Sequence, residues 1–130
     1  MLLNISNHPS THWPAEQKKM ALQHYGSVVD MAFPDIDPAA RHEDIAALAG
    51  EYAKRCKEAI ENDIDQISAS AVHIMGEHTF CFALVALLQR AGVKCIASTT
   101  RRVSHQNGAG EKTSLFSFVR FRPYPVIDQP

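Results

Sequence analysis

No apolar run in this 130-residue chain reaches the ~20 residues that a membrane helix needs. Met1-Leu-Leu-Asn4 carries no basic segment ahead of a long apolar stretch, so no secretory leader and no membrane partner are expected. Cysteine is scarce: Cys56, Cys81 and Cys95 stand far apart without a Cys-x-x-Cys pair. That spacing gives neither a disulfide framework nor a metal knuckle, and buried reduced thiols fit a cytoplasmic protein. The chain also lacks a His-Glu-x-x-His motif, a Gly-x-Ser-x-Gly elbow, a P-loop and a Gly-x-Gly-x-x-Gly turn. No metal and no cofactor are therefore expected. Excess positive charge is missing too. A net charge of −1 argues against long nucleic acid, which needs a basic surface, but not against a small anionic ligand held locally.

What is present is the stock of an α/β domain. Hydrophobic residues make up 45% of the chain, enough for one core, and 21% are charged. The densest signal runs from Ser70 to Arg102. Val72 to Met75 reads as a buried strand, Gly76 as a turn, and Phe80 to Leu88 as a helix apolar nearly all round. Gly92 closes the helix in the left-handed region, and Val93 to Ser98 reads as the next strand. Strand, helix and strand make a βαβ unit.

Ahead of it, Leu2 to Ser6 predicts a first strand and Trp13-Pro14 a helix start, because proline is tolerated in a first turn. Val28 to Met31 predicts a short second strand. Ile45, Leu48, Ala49, Tyr52, Cys56 and Ile60 give a helix over roughly Arg41 to Asn62 one apolar stripe. After the unit, Val103 to Thr113 reads as a polar loop and Leu115 to Phe121 as a last strand. A single Rossmann-like domain over 1–122 follows, with a C-terminal tail over 123–130. It is a three-layer α/β sandwich on a mostly parallel five-stranded sheet, order 2-1-3-4-5, its last strand antiparallel.

That order makes strands one and three neighbours, so Ser6-Asn7-His8-Pro9-Ser10 faces Gly76-Glu77-His78-Thr79 across the switch point where α/β sheets bind ligands. His8 reads as a proton carrier or a phosphate contact, or else as an exposed loop histidine. Glu77 reads as a general base or ribose ligand, or else as a carboxylate that steadies a helix N-terminus. Thr99, Thr100, Arg101 and Arg102 suit a phosphate, with alternation aiming only one arginine at a given face. Charges guarding an edge strand are the alternative. His73 reads as a hydrogen-bonded core residue, and Arg120 and Arg122 as surface ends of the last strand.

Three stretches carry a resemblance: Leu2-Leu-Asn-Ile-Ser-Asn-His-Pro-Ser10, Ile74-Met-Gly-Glu-His-Thr-Phe80, and Ala97-Ser-Thr-Thr-Arg-Arg102. Together they resemble the small Rossmann-like CRISPR-associated proteins of type III systems, related to the CARF-domain ring nucleases. The long charged second helix departs from that pattern. The resemblance implies an antiviral protein that binds, and cleaves without metal, a cyclic oligoadenylate. In such chemistry the ribose 2′-hydroxyl attacks the neighbouring phosphate, and the enzyme aligns the attack and stabilises charge. It would assign proton transfer to His8 or Glu77, and ligand contacts to Ser6, Asn7, Ser10, Gly76, Thr79, Thr99, Thr100, Arg101 and Arg102. A two-fold ligand would favour a homodimer. A non-catalytic nucleotide sensor and a small nucleotide or phosphosugar hydrolase using Glu77 as its base remain alternatives.

Overall fold

The first strand, β1 (Leu2–Ser6), lies inside the sheet with a neighbour on either side and is buried along its whole length. In the computed structural model, which describes residues 1–63 and 69–127, the sheet order is β2-β1-β3-β4-β5. The other strands are β2 (Val28–Asp30), β3 (Ala71–Met75), β4 (Cys95–Gln106) and β5 (Lys112–Pro123). β1 runs parallel to β2 and β3, β3 parallel to β4, and only the β4–β5 pair is antiparallel. This is the expected α/β topology.

Among the described residues three α-helices cover the sheet: α1 (Ala15–Tyr25), α2 (His42–Glu61) and α3 (His78–Arg90). On one face, α2 and α3 pack Ile45, Tyr52, Cys56, Phe80, Leu84 and Leu88 onto Leu3, Ile5, Val72 and Ile74. On the other, Trp13, Ala21 and Tyr25 of the α1 segment cover Leu2, Ala71 and Ile96, with Phe121 of β5 at their side. Each fully buried Leu, Ile or Phe contributes about 1.5–3 kcal/mol, so the denser α2–α3 face dominates the fold.

The helix ends follow local chemistry. Pro14 precedes α1 with an extended ψ of 150°, and Gly26 closes it at φ 78°. A short 3₁₀ turn, Ser10–His12, leads into buried Trp13. For α2, the Asp44 carboxylate accepts the Arg41 backbone N–H at 3.0 Å. On its outer face the Arg55 guanidinium lies 4.7 Å from the Tyr52 ring centre. Gly92 stands at φ 77° beyond α3, as expected for a left-handed helix end.

The largest departure from the sequence reading lies after Ser98. The segment expected to be a loop over Val103–Thr113 is mostly strand: β4 runs to Gln106 and β5 begins at Lys112, around a turn at Asn107–Glu111. β3 pairs with β4 only at Cys95 and Ile96, whereas β5 follows β4 for its whole length through one bulge at Thr99/Thr100. Beyond the bulge, past buried Phe118, the hairpin is a two-stranded arm exposed on both faces except at half-buried Val103. The expected tail over 123–130 also starts later. Pro123 pairs with Ile96, the Tyr124 N–H donates to Cys95 O at 2.9 Å, and its hydroxyl donates to Ile74 O at 2.8 Å. Residues 128–130 of that tail lie outside the described residues.

Candidate functional site

Parallel strands ending together leave their last residues and the loops after them on one side of the sheet. β1 ends in Ser6 and β3 in Met75, paired in register, and the Asn7 N–H donates to Met75 O at 3.3 Å. The β1 loop and the α3 N-terminus thus adjoin, as the strand order requires.

The β1 loop is pinned from beneath. Asn4 Nδ2 at 3.0 Å and Trp13 Nε1 at 3.1 Å donate to the His8 carbonyl oxygen, and Ser6 Oγ lies 2.9 Å from it with one proton to divide between this oxygen and Asn4 Oδ1. The His8 imidazole is exposed on this fixed backbone. Ser10 is held from the side, its N–H at 3.0 Å and its hydroxyl at 2.7 Å from the Asp30 carboxylate at the end of β2. Asn4 Nδ2 donates to the same carboxylate at 2.8 Å. Partial burial works to raise the Asp30 pKa, but the Asn4 and Ser10 hydrogen bonds together hold it below the usual range.

Asn4 ties these groups to the core. With its Nδ2 committed to Asp30 and His8, its Oδ1 accepts from Ser6 Oγ at 2.9 Å and stands 2.8 Å from His73 Nδ1. His73 is the hydrogen-bonded core residue that its strand position implied. Desolvation pulls its pKa down to about 4, so the ring is neutral at pH 7 with its proton on Nδ1. Its Nε2 is buried beside Trp13 and Phe121 and has no partner among the described residues.

Glu77 is the N-cap of α3. Its carboxylate accepts from Phe80 N at 2.8 Å, Thr79 N at 3.0 Å and Thr79 Oγ1 at 2.7 Å. These bonds, the Phe80 one foremost, lower its pKa and make it a weaker base. They also occupy the Thr79 and Phe80 N–H groups in the first turn of α3, which an anion would otherwise seek. Gly76 is required by crowding: a Cβ there would collide with the Phe33 ring.

Thr99, Thr100, Arg101 and Arg102 stand on the arm rather than in a loop. β4 passes Met75 at Ser98, whose N–H and hydroxyl approach the Met75 sulfur at 3.3 and 3.0 Å, and continues outward. At about 3.3 Å per residue, Arg101 and Arg102 rise roughly 10–13 Å beyond Ser98. Thr99 Oγ1 is engaged with the Arg120 backbone in the bulge. The Arg102 guanidinium donates to Ser114 Oγ at 3.0 Å and lies 6.0 Å from the Phe116 ring centre, so by alternation Arg101 faces the opposite way. The site residues therefore divide into a floor, Ser6 to Ser10 with Gly76 to Thr79, and an upright edge, Thr99 to Arg102.

Cavities open along this side, among them one of ≈ 570 Å³ between His42, Ile45, His78, Thr79 and Phe82. A cleft of ≈ 400 Å³ lies over β1 and β2, lined by Asn4, Ser6, Asn7, Asp30, Phe33 and Asp35 among others, with no lysine or arginine. A groove of ≈ 820 Å³ runs along α3, between Phe82, Val85 and Gln89 and the segment Tyr124–Ile127, with Met75, Gly76 and His78 at one end. His8 and His12 have a spacing that would pair two imidazoles on an α-helix, but Pro9 and the 3₁₀ turn intervene. Among the described residues no three His, Cys, Asp or Glu side chains gather as a metal-ligand set, and no helix is long and apolar enough to cross a membrane. The sequence reading missed Asn4 and Asp30: each is a polar residue in a short strand, and no spacing marks it.

Residues 1–122 match a family model described as the Uncharacterized protein MJ1673 family. No curated protein and no solved structure matches the chain.

Proposed function

The chain belongs to the uncharacterized MJ1673 family, and from its site we propose that it is a CRISPR-associated nucleotide-binding protein that takes a cyclic oligoadenylate along the carboxyl edge of its sheet and cleaves it without a metal. The observation that carries this reading is the fixing of the His8 carbonyl by Asn4 Nδ2 and Trp13 Nε1, with the Ser6 hydroxyl beside it. It anchors the backbone of an exposed imidazole at the switch point, where this strand order receives ligands. The resemblance of the three stretches quoted above supplies the ligand class.

In the proposed reaction, the ribose 2′-oxygen forms a bond to the adjacent phosphorus and the P–O5′ bond breaks. The product is linear, with a 2′,3′-cyclic phosphate and a 5′-hydroxyl. His8 takes the 2′-hydroxyl proton and returns one to the leaving oxygen. Glu77 orders the first turn of α3 instead of moving protons, because three donors engage its carboxylate and lower its pKa. Asp30 and Asp35 make the cleft acidic, so the cations that a polyanion needs come from the arm, where Arg102 is engaged with Ser114 and Arg101 lies on the opposite face. A two-fold ligand favours a pair of copies, and the buried free thiols support a cytoplasmic location.

Binding without cleavage is the second reading, favoured by the donors already on Glu77, which weaken it as a base. A hydrolase with Glu77 as base loses support for that reason. The test is incubation with cyclic tetra- and hexa-adenylate in the presence of EDTA, with products separated by chromatography. Linear products ending in a 2′,3′-cyclic phosphate are expected. Binding without products selects the sensor reading, and neither binding nor cleavage of either ring overturns the proposal.

A further inference from the structure

The arm presents two faces of different chemistry. Directly opposed residues of an antiparallel pair share a face, so Thr100, Arg102, Gln106, Lys112, Ser114 and Phe116 stand on one side and Arg101, Val103 and Leu115 on the other. The first face carries two cations, an aromatic ring and hydroxyls, with no Asp or Glu. Glu111 lies in the turn, where its carboxylate accepts from Asn107 Nδ2 at 3.2 Å. Phe116 is 64% exposed, and the Arg102 guanidinium stands 6.0 Å from its ring centre, held by Ser114 Oγ at 3.0 and 3.2 Å. Those two bonds leave the other N–H groups of the guanidinium for an acceptor. Phe118, next on the same face, is buried against Phe121 at 5.0 Å and fixes the root of the row. The chain as a whole stands at −1, which disfavours a polyanion close to the body. From Thr100 to Gln106, however, the ribbon extends roughly 20 Å, while charges are screened over about 8 Å at physiological salt. A ligand on the outer arm therefore meets the arm's own cations.

We propose that this face binds single-stranded nucleic acid without sequence preference, with a base stacked on Phe116 and neighbouring phosphates on Arg102 and Lys112. An aromatic platform flanked by cations holds a single strand in this way, because every base has a flat face and phosphates recur along the backbone. A duplex hides its base faces and loses the stacking contact. A bilayer fits the arm poorly: Phe116 and Leu115 point to opposite faces, and the turn at Asn107–Glu111 is polar and bears a carboxylate. This surface is independent of the proposed cyclic ligand, for which Arg101 on the other face supplies the cation.

Fluorescence anisotropy of a labelled oligouridylate, titrated with the full chain at several salt concentrations, tests it. Uridylate is the probe because the proposed cyclic ligand is an adenylate, so either assay can fail without the other. Saturable binding is expected, weakening with salt at a log–log slope of about −1.4, which is roughly −0.7 for each of two phosphates. Phe116→Ala should weaken binding at least ~5-fold, and Phe116→Trp should restore it, since stacking needs only a flat ring. Lys112→Ala should flatten the slope by about 0.7. Leu115→Ala, on the other face, should leave affinity unchanged. All three side chains are exposed, so circular dichroism and melting temperature should match the wild type. No binding at low salt, binding indifferent to Phe116→Ala, an equal loss in Leu115→Ala, or an unchanged slope in Lys112→Ala would overturn the proposal. So would a duplex bound as tightly as the single strand. Binding of phosphatidylserine vesicles in place of the oligouridylate would assign the face to lipid and overturn it as well.

Discussion

Asn4 and His73 face each other in register on β1 and β3, with Asn4 Oδ1 2.8 Å from His73 Nδ1, both buried. This pair joins the core to the candidate site, because the same carboxamide donates to Asp30 and to the His8 carbonyl. Packing on the α1 face and the posture of the β1 loop therefore share one side chain.

The pair makes stability depend on pH. The His73 pKa falls from 6.5 to about 4 on folding, through burial. Between those values the unfolded chain binds more protons, so this contribution is complete above pH 6.5 and is lost as pH falls towards 4. The loss should amount to about 2–3 kcal/mol at pH 4.5. Urea unfolding at pH 7.5 and 4.5 measures it, and in His73→Gln the difference should shrink by that amount. An equal pH dependence in the variant would show that His73 is not the titrating group.

His8→Ala and Glu77→Ala should separate chemistry from architecture. Loss of His8 should leave the melting temperature unchanged and slow ring cleavage roughly 10²–10⁴-fold. Loss of Glu77 removes an N-cap and should lower the melting temperature by a few degrees, with Glu77→Asp recovering part of it. Cleavage at the wild-type rate in His8→Ala would remove His8 from the mechanism.

The two arginines should differ in kind. Arg101→Ala should weaken binding of cyclic oligoadenylate by about 1.5–3 kcal/mol, the scale of a charge-assisted hydrogen bond. Arg102→Ala should cost less ligand affinity, because its guanidinium is already engaged with Ser114 and Phe116. Titration calorimetry at two salt concentrations checks both, with wild-type binding weaker at the higher salt. The reverse ranking would put the ligand on the opposite face of the arm.

Gly76→Ala should destabilise by roughly 1–3 kcal/mol through overpacking. The added methyl group would push the Phe33 ring away from Phe80, on which it packs edge-on at 5.3 Å. Phe33→Ala in the same chain should relieve part of the clash, and a strictly additive double variant in thermal unfolding would refute this account.

The parts legible in the sequence are those where a single face is buried or a residue has one steric role. The strand order followed from βαβ handedness, and Gly92 marked a helix end by its backbone alone. His73 was readable as core because it sits between apolar neighbours on a central strand. The arm was not readable, because a ribbon exposed on both faces has no buried face to impose alternation. Val103 to Thr113 therefore looked like any polar loop. Asp30 and Asn4 escaped for another reason: their importance lies in convergence from β1 and β2, 26 residues apart in sequence.

The central position of β1 has a consequence for how the chain folds. The strand made first can pair early with β2, because Leu2 and Val28 are close in sequence. Its other edge stays open until β3 arrives, with Asn4 and His73 separated by 69 residues. Closing so long a loop costs conformational entropy before any contact repays it. In the interval an apolar strand, Leu2-Leu-Asn-Ile-Ser6, offers unpaired backbone to any neighbouring chain. During synthesis, partially made chains therefore pass through a window of aggregation risk that ends when Ala71–Met75 takes its place beside the first strand.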